Sequence, residues 1–332
     1  NLAAPLITGD HVKARINPRT KEVFDLDITK RTLKAFVGTY NSNFGNRMVT
    51  LEERGLKEEV YVRERPNIQG LRNGDKVLVE IKKYEPELEG IITRTFGATL
   101  APKFDTFSVV VRSNWPQEFS EEATKDAVDL SERVQREALE NGYQGRKDLR
   151  GKPFVTIDGK DSRDFDDAVL VEKTAAGFVL YVAIADVAEF VLPDTKLDTE
   201  AYDRATSVYF PEWVIPMLPE ALSNGACSLR PNEDKLTLTC EIHFDEEGKK
   251  RSAKVYESVI RSHRRCIYED VQKEFDAGDK FWTVPYDLFR KIRQRRFKRG
   301  ALDLDLPETK VILDEDGNTI DIRKFDRVDA HK

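Results

Sequence analysis

The chain of 332 residues has little of several things that would settle its class at once. Its three cysteines, Cys227, Cys240 and Cys266, are odd in number and lack the paired spacing of a structural metal site. That excludes a disulfide framework and a zinc ribbon, and leads us to expect free thiols in a reducing cytoplasm. No apolar run approaches the ~18 residues that a membrane-spanning helix needs, so no membrane association is expected. Nothing at the start resembles a signal peptide, and export is not indicated. A basic excess is missing as well: 54 Lys and Arg stand against 60 Asp and Glu, a formal net charge of −6. Taken globally this argues against a nucleic-acid binder, but a polyanion responds to how charge is distributed rather than to its total.

What is present is a globular composition, 34% charged and 39% hydrophobic, long enough for two or three domains. Two acidic turns, Asp245-Glu246-Glu247-Gly248 and Asp314-Glu315-Asp316-Gly317, lie between alternating segments as hairpin connections do. A third concentration of negative charge is different. In residues 155–170 an apolar strand enters a turn bearing Asp158, Asp161, Asp164, Asp166 and Asp167, and a second apolar strand leaves it. Like charges this close raise one another's pKa and cost folding energy, so a cation is expected among them. Oxygen ligands without His or Cys point to a hard ion, Mg²⁺ or Mn²⁺. An EF-hand counted from Asp158 would need Gly at position six and Glu at twelve; Arg163 and Val169 stand there. A solvated acidic turn remains the bland alternative. Against it, an extended chain would put Asp164 and Asp166 on one face and Asp167 on the other, with Phe165 wedged between them.

The frame T-I-D-G-x-D-x-R-D-F-D-D-A-V, carrying Asp158, Asp164, Asp166 and Asp167, resembles the catalytic motif of the ribonuclease II/ribonuclease R (RNB) exoribonuclease family. The resemblance continues through Val182-Ala183-Ile184-Ala185-Asp186-Val187, Thr206-Ser207-Val208-Tyr209-Phe210-Pro211 and Ile215-Pro216-Met217-Leu218-Pro219. It extends through Leu222-Ser223-Asn224-Gly225, Cys227-Ser228-Leu229 and Asp329-Ala330-His331-Lys332, and it is nearer to the ribonuclease R branch. It implies processive 3′→5′ hydrolysis of single-stranded RNA to nucleoside 5′-monophosphates, with no obligate protein partner. By the same resemblance Asp158 and Asp167 would ligate Mg²⁺ directly and Asp164 would complete the cluster. Asp166 would be the carboxylate on which the chemistry most depends. Tyr209 would pack against the nucleotides at the RNA 3′ end, and Tyr268 would lie near the ribose, where a 2′-OH can be read.

The expected fold is multidomain, β and α+β: an OB-type, cold-shock-like barrel followed by a mixed α/β catalytic domain of RNB type. A repeated G-D-x-V pattern, at Gly9 and again at Gly74, divides residues 1–31 (the end of a first barrel) from 32–97 (a second barrel). Strands in the second are expected near 33–40, 46–51, 59–62, 76–83 and 88–95. Cold-shock domains bind single strands through stacked aromatics, yet here the strand that should carry them offers only Tyr40 and Phe44. A barrel that guides RNA and a purely structural barrel both fit. Residues 98–149 read as a helical link, with a helix opened by Ser120 and stopped by Asn141-Gly142. Residues 150–332 form the catalytic part, including hairpins 168–172/178–185 and 236–244/249–262 and helices 199–205, 268–276 and 285–298. The basic run from Arg290 to Arg299 is either an RNA-backbone contact or a solvated helix face with an apolar seam. The family pattern continues past Lys332, so the chain reads as an internal segment with an incomplete set of site residues. An RNA-binding scaffold with an inactive nuclease domain is the main alternative, and a phosphoesterase with another substrate the third.

Overall fold

A computed structural model describes residues 6, 10–31, 35–43, 45–52, 59–63, 70–97, 104–302, 308–325 and 327–331. Gly9, Thr32, Leu33, Phe44 and Lys332, which entered the sequence argument, lie outside the described residues. The chain divides into two compact units. One draws on Asn1–Gln117, Phe210–Trp213 and Leu313–Ile320, the other on Glu118–Tyr209, Val214–Ile312 and Asp321–Lys332.

In the first unit, β1 (His11–Ile16) and β2 (Val23–Lys30) pair as an antiparallel hairpin. Five strands then close a barrel: β3 (Ala35–Asn43), β4 (Asn46–Leu51), β5 (Glu59–Tyr61), β6 (Lys76–Lys83) and β7 (Glu89–Gly97). Their order around the barrel is β3-β4-β5-β7-β6. Alternation drives the closure, since Val77, Val79 and Ile81 of β6 face inward and join Phe36, Val49, Leu51, Val60 and Ile92 in one core. A side chain on Gly38 would meet the Thr50 carbonyl oxygen and Val49 at 2.5 Å, so only glycine permits this approach of β3 to β4. Tyr40 departs from the reading that offers it to RNA. It is 6% exposed and belongs to the barrel core, because its register places it on the inward face. Helix α1 (Phe104–Arg112) sets Phe107 and Val111 against Val37, Leu78 and Phe96 on the barrel's outer face.

The second unit opens with α2 (Glu121–Glu140), where Ser120 Oγ accepts from the Ala123 amide and Gly142, at φ 65°, follows the C-cap. Next come β8 (Lys147–Asp148), β9 (Val155–Asp158), β10 (Asp167–Thr174), β11 (Gly177–Ala185) and α3 (Lys196–Arg204). A short ribbon of β12 (Val208–Tyr209) and β13 (Val214–Ile215) precedes the long hairpin β14 (Asp234–Phe244) and β15 (Lys250–Arg261). After β16 (Arg264–Ile267) come α4 (Tyr268–Asp276), α5 (Lys280–Lys298) and the ribbon β17 (Glu308–Leu313) with β18 (Thr319–Phe325). Seven strands make one sheet in the order β16-β9-β10-β11-β14-β15-β8. The outermost pairs, β16 with β9 and β15 with β8, are parallel, and the rest are antiparallel.

Alternation on β9 and β10 serves two layers. Ala168 and Leu170 join Phe154, Phe190 and Leu197 under α2 and α3, while Val155 and Val169 pack with Val271, Phe275 and Trp282 of α4 and α5. Helix α5 begins five residues before the expected start at Pro285. Asp279 caps it by accepting from Phe281, and buried Trp282 and Leu288 hold the turn through which the proline passes. The proline therefore sits inside the helix rather than at its first position, and only one backbone donor is lost. Among the described residues, no helix is long and apolar enough to cross a membrane.

Candidate nuclease site

The site grows from the junction of β9 and β10. Strand β9 ends at Asp158 and β10 begins at Asp167, with residues 162–166 in no regular structure. The expected extended run across 164–167 is therefore replaced by a loop, and strict alternation does not decide which way its carboxylates face. Phe165 is what fixes the loop. It is 6% exposed and belongs to the core under α2, while Asp164 stays half-buried and Asp166 and Asp167 keep exposed surface.

The electrostatics follow from the crowding. Burial, with Asp167 and Asp164 nearby, pushes the Asp158 carboxyl up to about 6 against the pull of Arg265. Although both keep exposed surface, the protein packed around them partly desolvates Asp166 and Asp167 and raises both, Asp166 with the help of Asp164 and Asp167. Oδ2 of Asp158 is buried without a hydrogen-bond partner among the described residues. A buried acceptor left unpaired is costly and calls for an explanation. The donor set is oxygen throughout, which suits a hard divalent cation. Among the described residues no three carboxylate, imidazole or thiol side chains are already closed around one point. The residues fit a cation by donor chemistry and by the unpaired oxygen, not by a finished coordination shell.

Both tyrosines singled out in the sequence come to this loop. Tyr209, 68% exposed on β12, donates its hydroxyl to Asp164 Oδ2 at 2.9 Å. Tyr268 is the first residue of α4, and burial followed by the charges of Asp158 and Asp167 raises its pKa. Its ring stacks on His331 with centroids 4.4 Å apart and planes at 24°. Asp186, quoted in the family motif, follows Ala185, whose amide donates to the Asp166 carbonyl, but its own side chain is engaged in a buried pair, Oδ2 accepting from Arg146 at 2.7 Å. Asp161 is exposed.

Three residues near the loop went unassigned in the sequence. Ser228 is fully buried, and its Oγ donates to the Arg163 carbonyl at 2.8 Å and accepts from the Phe165 amide at 3.1 Å. Arg265 donates to backbone carbonyls of the loop. His331 supports Tyr268. Two of these stood inside quoted motifs, Cys227-Ser228-Leu229 and Asp329-Ala330-His331-Lys332, which was the one available signal. The three cysteines are free thiols, and burial pushes Cys227 up to about 12, which makes it inert.

Comparison with known proteins agrees with this architecture. Residues 146–332 match the RNB domain family and residues 49–120 match the cold shock domain. Ribonuclease R of Thermotoga maritima is 39% identical over 313 residues, covering 89% of this chain and 43% of that protein. Ribonuclease R of Vibrio parahaemolyticus is 37% identical over 313 residues, covering 89% of this chain and 36% of that protein. Among solved structures, Mycoplasma genitalium RNase R in complex with ribose methylated single-stranded RNA superposes with a TM-score of 0.82 at 26% identity. That match covers 97% of this chain and 52% of the other. The chain thus spans 36% to 43% of the length of these two relatives. With a barrel of cold-shock type followed by an RNB domain that fills more than half its length, the chain belongs to the ribonuclease II/ribonuclease R family.

Proposed function

We propose that the chain carries the carboxylate centre of a cytoplasmic 3′→5′ exoribonuclease that degrades single-stranded RNA processively to nucleoside 5′-monophosphates. Mg²⁺, or Mn²⁺ in its place, would be held by Asp158, Asp164, Asp166 and Asp167. The observation that carries this reading is the crowding of these carboxylates at the β9–β10 junction, close enough to raise one another's pKa, with an Asp158 oxygen buried and unpaired among the described residues and Tyr209 tied to Asp164. Family membership supports it, as does the single-stranded RNA bound by the M. genitalium protein.

A bound divalent cation would neutralise the non-bridging phosphate oxygens and acidify a water. The chain's own residues do the rest. Asp158 and Asp167 are the direct ligands, and Asp164 completes the set while accepting from Tyr209. Asp166 supplies the charge that the transition state needs most. Because its hydroxyl is anchored, Tyr209 presents an exposed ring as a stacking face for a 3′-terminal base. Tyr268, braced by His331, offers its hydroxyl to a ribose 2′-OH. We assign residues 1–31 to the end of a first barrel, 32–97 to a second, 98–149 to a helical link and 150–332 to the catalytic part.

The test is metal binding and product release in the intact protein. Asp158→Asn and Asp167→Asn should each weaken Mn²⁺ binding in titration calorimetry, and wild type should release mononucleotides from single-stranded RNA. Unchanged metal affinity in both variants removes the ligand assignment. A wild-type protein that binds RNA and releases nothing in Mg²⁺ establishes the scaffold alternative.

A further inference from the structure

Asp158 and Asp167 are held in the ladders of β9 with β16 and of β10 with β11, and the Asp166 carbonyl accepts from the Ala185 amide at 2.9 Å. Residues 159–165 have no strand ladder, so something else must hold that backbone in place. On one flank Ser228 exchanges hydrogen bonds with Arg163 and Phe165, and the Leu229 amide donates to the Phe165 carbonyl at 2.9 Å. On the other flank stands a single cation. Arg265 Nη2 donates to the carbonyls of Gly159 at 3.0 Å, Lys160 at 2.5 Å and Ser162 at 3.3 Å. Its guanidinium carbon lies 5.1 Å from the centroid of the Phe165 ring. Parallel pairing of β16 with β9, with Arg265 opposite Thr156, delivers it to the loop. One planar group thus grips the first half of the loop by its carbonyls and the second half by its anchoring aromatic.

We infer that Arg265 is a positioning residue for the carboxylate centre, setting the loop from Gly159 to Phe165 so that Asp158, Asp164, Asp166 and Asp167 can share one cation. It acts through the backbone, its hydrogen bonds going to loop carbonyls rather than to the carboxylates. The inference rests on the metal reading proposed above. Two features favour positioning over simple packing. Nε of Arg265 is buried with no partner among the described residues, a cost that an apolar side chain of similar volume would avoid. The three carbonyls share one nitrogen, Nη2, whose plane is set by the guanidinium lying against Phe165; an ammonium has donors but no plane to lay against the ring.

Charge and geometry make different demands here, and two variants separate them. As a charge, Arg265 repels a divalent cation but also attracts Asp158, two effects that offset each other in metal binding. As a clamp, its removal should loosen metal binding. Arg265→Gln removes both the charge and the guanidinium; Arg265→Lys keeps a charged donor without the planar group. In the intact protein we expect Arg265→Gln to weaken Mn²⁺ binding by about tenfold in calorimetry and to cut kcat by about 10- to 100-fold, the usual range for groups that orient ligands. The KM for a short RNA should stay near wild type, and Arg265→Lys should rescue neither quantity. Ser228→Ala, which loosens the same loop without altering charge, should shift Mn²⁺ affinity in the same direction.

Tighter or unchanged Mn²⁺ binding in Arg265→Gln overturns the inference, and so does full rescue by Arg265→Lys. Should Arg265→Gln fail to fold in a thermal melt, Arg265→Lys decides alone, and wild-type metal affinity and kcat in it refute the clamp. If wild type itself neither binds Mn²⁺ nor releases mononucleotides, the functional reading fails. If wild type does both and the Arg265 variants match it, only the clamp fails.

Discussion

Tyr40 of the barrel and Tyr209 beside the aspartates are both strand tyrosines, and their surroundings treat them in opposite ways. Tyr40 is 6% exposed and surrounded by aliphatic side chains, whereas Tyr209 is 68% exposed and spends its hydroxyl on a carboxylate. Other groups repeat the contrast. In the barrel, buried Asp75 accepts from the Arg72 amide at 2.7 Å, and Lys76 meets both Glu52 and Thr39. At the carboxylate loop, Asp158 keeps a buried oxygen unpaired among the described residues, and three acids are driven above their ordinary pKa. A region whose local rules all agree is built for stability, and one that breaks them is held for another purpose. The barrel strand that cold-shock domains use for stacking has here turned its tyrosine into core.

The sharpest way to test the contrast is Asp166→Asn, which keeps shape and removes one crowded charge. We expect kcat to fall by about 10³-fold, or about 4 kcal/mol, with RNA affinity retained. The melting temperature should hold or rise, because repulsion within the loop is relieved. A large loss of stability would mean that this loop, like the barrel, is built around its own contacts. Phe36→Ala probes the other side. Phe36 is 1% exposed in the barrel core, and its truncation should cost about 3 kcal/mol. Hydrogen exchange should show the lost protection confined to β3–β7, and a loss shared by β9 and β10 would break the division.

Glu241 shows what a satisfied carboxylate looks like inside the second unit. Against the cost of burial, hydrogen bonds from Tyr256, Lys147 and His243 hold it down at about 2. Its folded pKa lies below the unfolded value of 4.5, so its stabilisation is complete above that value and vanishes as pH falls toward 2. Glu241→Gln should therefore cost about 2 kcal/mol at pH 7 and nothing near pH 2, measured by denaturant unfolding across that range. The smallest expected effect is that of Tyr268→Phe. It should lower kcat/KM on all-ribose RNA several-fold, about 1 kcal/mol, and leave a strand with 2′-deoxy 3′-terminal nucleotides unaffected. An unchanged ratio between the two substrates would place Tyr268 with Tyr40, as packing.

Most of this contrast was legible in the sequence, because alternation and capping are local. The barrel strands, the long hairpin, the Ser120 cap and the start of α4 at Tyr268 all follow from short-range pattern. The aspartate motif is equally local, so the acids could be named, whereas both tyrosines could be named only through the resemblance to the RNB family. What escaped depended on distant chain. Arg265, coming just after Arg261 and Arg264, reads as one more surface cation until β16 is laid against β9. Tyr40 reads as a stacking platform until barrel closure decides which face is inside. Pro285 reads as a helix start because nothing local reveals how well Trp282 anchors the turn before it.

The parallel pairing of β16 with β9 also bears on when the site can exist. The hydrogen bond from Arg265 to Lys160 joins residues 105 positions apart, so the loop receives its second clamp only after a long stretch of chain has been made and folded. Contacts of such separation form late, because loop closure must precede the reward. On a ribosome adding about 5–20 residues per second, the four aspartates would emerge several seconds before Arg265. A nascent chain would thus carry its acids beside messenger RNA in an unassembled state. In pulsed hydrogen exchange during refolding, protection of the Ser162 and Phe165 amides should appear together with that of Cys266 and Ile267; earlier protection would show that the loop sets itself.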